Sequence, residues 1–136
     1  MIIDSNILIY AINSDSPKNK KAQEFLRENL KNLEVTHQNI LETLRVLTHP
    51  KFSKKMKSQD ALESITGIIR VARIIQPRYE TYYVFLELLK KHQFGGDKIF
   101  DIYLIATALS NNIETIATDN TKDFIKFKEI KTINPF

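Results

Sequence analysis

The sequence predicts an α/β domain with a mostly parallel central sheet. Short apolar runs rich in β-branched residues alternate with longer segments whose apolar residues recur at helical spacing. No repeat, linker or low-complexity tract interrupts this alternation, and 136 residues is the size of one domain. We therefore expect a single domain over residues 1–136.

The first half of the chain supplies two of the predicted strands. Ser16-Pro17 combines a capping serine with proline at the first helical position, which indicates a helix start. His49-Pro50 indicates a helix end, because the residue before proline disfavours helical backbone. The predicted elements are, in order, a strand at 2–4, a helix opened by Ser5 or Asn6, a helix from 16 to 30, a strand at 33–36, a helix at 38–47 and a helix from 58 to 69.

The second half continues the pattern with three more strands. Pro77 ends a β-branched stretch, and Phe94-Gly95-Gly96 separates two apolar helical segments. The predicted elements are a strand at 71–75, a helix at 78–92, a helix at about 97–109 and strands at 114–118 and 131–134.

Composition excludes several classes of protein. The absence of cysteine removes disulfides, thiolate metal sites and cysteine nucleophiles. No apolar run reaches the roughly 18 residues of a membrane span, and no basic stretch precedes the apolar N-terminal segment as in a signal peptide. We therefore expect a cytoplasmic protein that does not contact a membrane. A net charge of +4 is compatible with a polyanionic partner.

Acidic residues stand where parallel strands of the predicted sheet end. Asp4 ends the first strand, Asp119 directly follows the strand at 114–118, and Asp123 lies one turn further on. Ligands of such sheets bind outside the carboxyl ends of the strands. Asp4 and Asp119 could equally cap the helices that follow them, and Asp123 could form a turn.

Two further acidic residues lie on predicted helices among apolar neighbours. Glu42 stands in NILETLRVL and Asp101 in KIFDIYLIATAL. Each could instead face solvent, and Arg45 is a possible partner for Glu42. Carboxylates gathered at one site repel one another unless a cation neutralises them, and all-oxygen ligation favours Mg²⁺ or Mn²⁺. The acidic residues together therefore predict a metal nuclease site in a basic protein.

Four stretches of the chain also resemble a known family. They are MIIDSNILIYAI, NILETLRVL, KIFDIYLIATAL and ATDNTKDFIKF, the last followed by INPF. In order and spacing they resemble PIN-domain ribonucleases, and in particular the VapC-type toxins of prokaryotic toxin–antitoxin pairs. The resemblance extends over the whole chain. It implies a three-layer α/β/α domain, a metal-dependent endoribonuclease, a cognate antitoxin and a homodimer.

Carried over by position, the resemblance implies an acidic catalytic site. Its members are Asp4, Glu42, Asp101 and a fourth residue near Asp119, of which Asp4, Asp101 and Asp119 would hold Mg²⁺ or Mn²⁺. The register of the fourth position varies within the family, so that Asn120 also competes for it.

Asp119 is preferred for the fourth position, because it stands closest to the strand end, and Asp123 comes second. Asn6 would support the site without binding the metal, and Thr118 would orient it.

Five basic residues lie between Arg45, on the Glu42 helix, and Lys57, with no acidic residue among them. This flexible arm could hold RNA phosphates, receive an acidic antitoxin segment or be an ordinary solvated loop. Lys18, Lys20 and Lys21 form a smaller cluster. The arm comprises Arg45, Lys51, Lys54, Lys55 and Lys57.

Other functions remain open from the sequence. A phosphatase or phosphotransferase with Asp4 as nucleophile is less favoured, because such enzymes usually carry a second Asp two residues later, where this chain has Asn6. The remaining alternatives are an RNA-processing PIN nuclease without a toxin role and a PIN-like domain that binds RNA or protein without cleavage.

Overall fold

The computed structural model describes all 136 residues, with five strands and seven helices. The strands are β1 (Ile2–Ile3), β2 (Glu34–Thr36), β3 (Arg73–Ile75), β4 (Thr115–Ala117) and β5 (Lys131–Ile133). The helices are α1 (Ser5–Ile12), α2 (Asn19–Glu28), α3 (His37–Thr48), α4 (Ser58–Ile69), α5 (Thr81–His92), α6 (Lys98–Ser110) and α7 (Thr121–Phe124).

The strands form one sheet in the order β3-β2-β1-β4-β5, and every neighbouring pair is parallel. β1 is therefore the central strand, with Ile2 opposite both Glu34 and Ile116. A parallel arrangement needs a crossover between successive strands, which the helices provide. The predicted mostly parallel α/β architecture is confirmed.

Two hydrophobic cores cover the two faces of the sheet. Successive side chains of a strand point to opposite faces, so Ile2 belongs to one core and Ile3 to the other. The Ile2 core contains residues of α5, α6 and α7, and the Ile3 core contains residues of α1 and α2. Because helices pack on both faces, the domain has three α/β/α layers.

Most predicted helices and strands are present, with shifts at their ends. The second helix begins at Asn19 rather than at Ser16-Pro17, because the Ser16 hydroxyl instead accepts a hydrogen bond from the Lys18 amide within a turn. α7 was not predicted, since four residues are too few to show a helical period. None of the helices is long and apolar enough to cross a membrane.

Local sequence sets where the site-bearing helices α3 and α6 begin. Thr36 and Asn39 cap α3 reciprocally, each side chain accepting a hydrogen bond from the other's amide, which places Glu42 in the second turn. Gly96, at φ +60°, lies in the left-handed region that glycine adopts without strain, and α6 begins two residues later.

Candidate active site

Asp4 lies at the centre of the candidate site, at the carboxyl end of β1. Its side chain is 8% exposed, and both carboxylate oxygens accept hydrogen bonds. Oδ1 accepts from the Ser5 amide at 2.7 Å, and Oδ2 accepts from Asn6 Nδ2 at 2.8 Å and from the Thr118 hydroxyl at 2.6 Å. Asp4 therefore caps α1 and is also held by the end of β4.

Burial raises the pKa of the Asp4 carboxyl above its usual value, although the hydrogen bonds from Thr118 and Ser5 oppose the rise. The negative charges of Glu42 and Asp101 raise it further. The fold thus brings the carboxylates of Glu42 on α3 and Asp101 on α6 close enough to Asp4, which directly follows β1, to raise its pKa.

Asp101 lies in the first turn of α6 and is half-buried. Burial raises the pKa of its carboxyl, the Lys98 ammonium opposes that rise, and the charges of Asp123 and Glu42 add to it. Lys98 Nζ donates to Asp101 Oδ2 at 3.3 Å and also to Asp123 Oδ1. A lysine therefore joins the helical acid to the acid of α7.

The two aspartates that compete for the fourth position have different surroundings. Asp119 accepts hydrogen bonds from the Tyr10 hydroxyl at 3.0 Å and from Lys18 Nζ at 2.5 Å. The Lys18 hydrogen bond holds the pKa of Asp119 below its usual value. Asp123 instead shares Lys98 with Asp101. The structure thus groups Asp123 with Asp101, whereas Asp119 pairs with the segment between α1 and α2.

Asn6 and Thr118 connect the ends of the two central strands. Asn6 Nδ2 donates to Asp4 and, at 3.0 Å, to Thr118 Oγ1, while Asn6 Oδ1 accepts from the Asp119 amide at 3.2 Å. Thr118 Oγ1 also accepts from the Asn120 amide at 3.0 Å. Both side chains fix the Asp4 carboxylate and the chain after β4. The Asn120 side chain forms no capping hydrogen bond to α7.

The basic arm lies outside this network. Arg45 approaches Glu42 at 3.9 Å, one turn along α3. Lys54 pairs with Asp15 and donates to Ser14, in the segment between α1 and α2. Lys51, Lys55 and Lys57 are exposed. Of the five residues, only Arg45 contacts a candidate site residue.

Sequence reasoning missed Lys98 and the Asp119 partners Lys18 and Tyr10. Lys98 precedes Asp101 by three residues, a spacing that places the two side chains on one face of a helix. The sequence therefore contained the information needed to predict this pair. The contacts of Asp119 with Tyr10 and Lys18 span 109 and 101 residues, and no local pattern predicts them.

The acidic side chains of the candidate site are of the type that binds a hard divalent cation, although they are not arranged around a common point. No group of three or more acidic or histidine side chains is arranged to hold a metal ion. The donors are nevertheless all carboxylates, and a cation, the Lys98 ammonium, already lies between two of them. Carboxylate oxygens are the ligands that a hard divalent cation prefers, so such a cation could take the place of the Lys98 ammonium between Asp101 and Asp123.

Solved structures share this fold over nearly the whole chain. VapBC2 from Rickettsia felis bound to a DNA fragment from its promoter is 19% identical, with 98% of this chain and 96% of that chain covered and a TM-score of 0.75. FitAcB from Neisseria gonorrhoeae is 18% identical, with 98% and 96% covered and a TM-score of 0.72.

A third similar structure is VapC20 from Mycobacterium tuberculosis, described as a toxin that cleaves the sarcin–ricin loop. It is 14% identical, with 95% of this chain and 97% of that chain covered and a TM-score of 0.70. No curated protein matches the sequence. The PIN domain family matches residues 1–130, which include every strand up to β4 and all the candidate acidic residues. The chain belongs to the PIN domain family.

Proposed function

We propose that this protein is a Mg²⁺- or Mn²⁺-dependent endoribonuclease and the toxin of a type II toxin–antitoxin pair. The observation that carries the proposal is the acidic cluster beyond the carboxyl end of the sheet. Asp101 and Asp123 share the Lys98 ammonium there, and the charges of Asp101 and Glu42 raise the pKa of Asp4. The net charge of the chain is +4, so this acidic centre is set in a basic protein. Membership of the PIN family and similarity to toxin structures support the same function.

Asp4, Asp101 and Asp123 are the proposed metal ligands, with Glu42 beside them. The shared contact with Lys98 supports Asp123 for the fourth position over Asp119, which is engaged by Lys18. A divalent ion held there would lower the pKa of a water molecule bound to it and would stabilise negative charge on a phosphodiester. Ser5, Asn6 and Thr118 hold Asp4 in one orientation, and the arm of Arg45, Lys51, Lys54, Lys55 and Lys57 would bind the RNA backbone.

The nuclease proposal is tested with the purified chain and labelled RNA. Cleavage should require Mg²⁺ or Mn²⁺ and stop with EDTA. Asp101→Asn should abolish it, whereas Asp97→Asn should not, because Asp97 is exposed and its side chain forms no capping hydrogen bond. Undiminished cleavage in metal-stripped enzyme would refute the mechanism. RNA binding without cleavage would favour the non-catalytic alternative.

An antitoxin is the proposed protein partner. Its basic side chain could enter the acidic centre and displace the metal, and the Lys98 contact supports this because it demonstrates that an ammonium group fits between the carboxylates. Expression of the chain alone should slow growth and deplete an RNA, and Asp101→Asn should remove both effects. Unaffected growth, combined with cleavage in vitro, would favour an RNA-processing nuclease.

We also propose a homodimer formed through the start of α5. Tyr79, Tyr82 and Tyr83 are 81%, 58% and 52% exposed, and their rings contact one another rather than the core. Exposed aromatic clusters of this kind are typical of protein interfaces. Light scattering that finds only a 15.8 kDa monomer at micromolar concentration would exclude the dimer.

A further inference from the structure

Lys98 is the only lysine of the chain that pairs with two carboxylates. Its Nζ lies 3.3 Å from Asp101 Oδ2 and also donates to Asp123 Oδ1. Lys18, Lys54 and Lys91 each pair with one acid. The Lys98 contacts link the first turn of α6 to α7, across 25 residues of sequence.

This placement is not explained by the stability of α6. Lys98 is the first residue of the helix, where the positive end of the helix dipole disfavours a cation. The carboxylates of Asp101 and Asp123 offset this repulsion, and the ammonium in turn reduces the repulsion between them. The lysine therefore performs the electrostatic role of a bound cation.

A lysine in this position can also leave it. The Lys98 side chain is 37% exposed, and its flexible four-carbon stem lets the ammonium reach solvent without a change in the backbone. Asp101 and Asp123 would then have free oxygen atoms for another cation. A divalent ion carries twice the charge and can bind both carboxylates directly.

We propose that Lys98 is a built-in counter-cation of the acidic site, which a divalent metal ion must displace before Asp101 and Asp123 can bind it. The inference rests on the proposed metal-dependent function and names a residue that sets the strength of metal binding. Lys98 is a positioning residue here. It stabilises the metal-free chain and weakens the binding of metal.

The test compares Mn²⁺ binding by isothermal titration calorimetry with thermal unfolding, using the whole metal-stripped chain. Lys98→Met should bind Mn²⁺ about tenfold more tightly than wild type, since the ion no longer displaces an ammonium. Its melting temperature should be lower without metal and should recover at saturating Mn²⁺. Lys98→Arg keeps the charge and should keep the wild-type affinity.

Lys91→Met is the matched control, because Lys91 pairs with Glu129, an acid outside the site. It should leave Mn²⁺ affinity unchanged. Wild-type or weaker Mn²⁺ affinity in Lys98→Met would overturn the inference, even if that variant is less stable. If Lys98→Met does not fold, NMR of the wild-type lysine ammonium groups replaces it: Lys98 signals that stay unchanged at saturating Mg²⁺ would equally overturn the inference.

The two proposals fail separately. If wild type binds Mn²⁺ and Lys98→Met binds it equally well, only the counter-cation role is refuted. If neither protein binds Mn²⁺, the metal-dependent function and the inference that rests on it are both refuted.

Discussion

Replacing Thr118 with valine would remove one hydroxyl from the centre of the acidic site with little change in side-chain volume. Thr118 is fully buried. Its Oγ1 donates to Asp4 at 2.6 Å and accepts from Asn6 Nδ2 and from the Asn120 amide, each at 3.0 Å. The substitution therefore breaks three hydrogen bonds, one of them to a buried carboxylate.

The bond to Asp4 dominates the expected cost. A hydrogen bond to a charged group contributes about 1.5–3 kcal/mol. The other two donors, the Asn6 side chain and the Asn120 amide, belong to residues that are partly exposed, so water can replace their lost hydrogen bonds. We expect Thr118→Val to lower the free energy of unfolding by about 2–3 kcal/mol at neutral pH. For a domain of this size, that loss corresponds to a melting temperature about 6–10 °C lower.

The cost should depend on pH through Asp4. The Thr118 hydrogen bond lowers the pKa of Asp4 against the larger raising effect of burial, so the variant has a still higher Asp4 pKa. The lost bond stabilised the ionised carboxylate. The difference in unfolding free energy between wild type and Thr118→Val should therefore be largest above the raised pKa of Asp4 in the folded protein, and should become smaller as the pH falls through that pKa.

Thermal unfolding followed by circular dichroism, from neutral pH downward into the acid range, measures both effects. Thr115→Val is the control, because Thr115 begins the strand that Thr118 directly follows, is partly exposed and makes no side-chain hydrogen bond. Equal melting temperatures for the two variants at neutral pH would refute the reasoning. A deficit that grows on acidification would refute the assigned role of the Asp4 charge.

The site charges and the exposed tyrosines lead to three further predictions. Asp101→Asn should raise the melting temperature of the metal-free chain at neutral pH, because burial raises the pKa of Asp101, and this increase should vanish as the pH falls through that pKa. A lower melting temperature than wild type at neutral pH would contradict the prediction. Asp119→Asn should lower the free energy of unfolding in urea by about 0.5–1 kcal/mol at neutral pH, and this loss should disappear as the pH falls through the lowered pKa of Asp119. Asp123→Asn should weaken Mn²⁺ binding more than Asp119→Asn does, and the reverse order in calorimetry would return the fourth position to Asp119. Tyr79→Ser combined with Tyr83→Ser should give a folded monomer, with unchanged secondary structure in circular dichroism. A dimer that persists in light scattering would place the interface elsewhere.

The layered fold could be predicted because its signals are local and repeated. Apolar residues at helical spacing mark α3 to α6, and the alternation of helices with short β-branched runs indicates parallel pairing. The order of the strands in the sheet could not be predicted in this way. β1 has two residues and the other strands have three, too few to encode their neighbours, so the order depends on how the helices pack.

The sequence likewise allows some residues of the candidate site to be proposed, but not all of them. Asp4 and Asp119 could be identified because they directly follow strands, and Glu42 and Asp101 because they interrupt apolar helical patterns. The proposal of Asp123 for the fourth position depends instead on the Lys98 contact across 25 residues of sequence. Such a contact is set by the path of the chain through the loop and α7, which no periodicity describes.

Capping and site formation are alternatives for Asp4 in the sequence, and in the structure the cap uses only one of its two carboxylate oxygens. Oδ1 caps α1 through the Ser5 amide, while Oδ2 accepts from Asn6 and Thr118. The Ser5 amide and the Thr118 hydroxyl oppose the burial that raises the pKa of the Asp4 carboxyl. A strand that ends where a helix begins can therefore surround a buried carboxyl with hydrogen-bond donors, and a nearby cation adds to the balance of charge among the acids. Lys98 supplies that charge in the metal-free chain, which is why its removal should strengthen metal binding while weakening the fold.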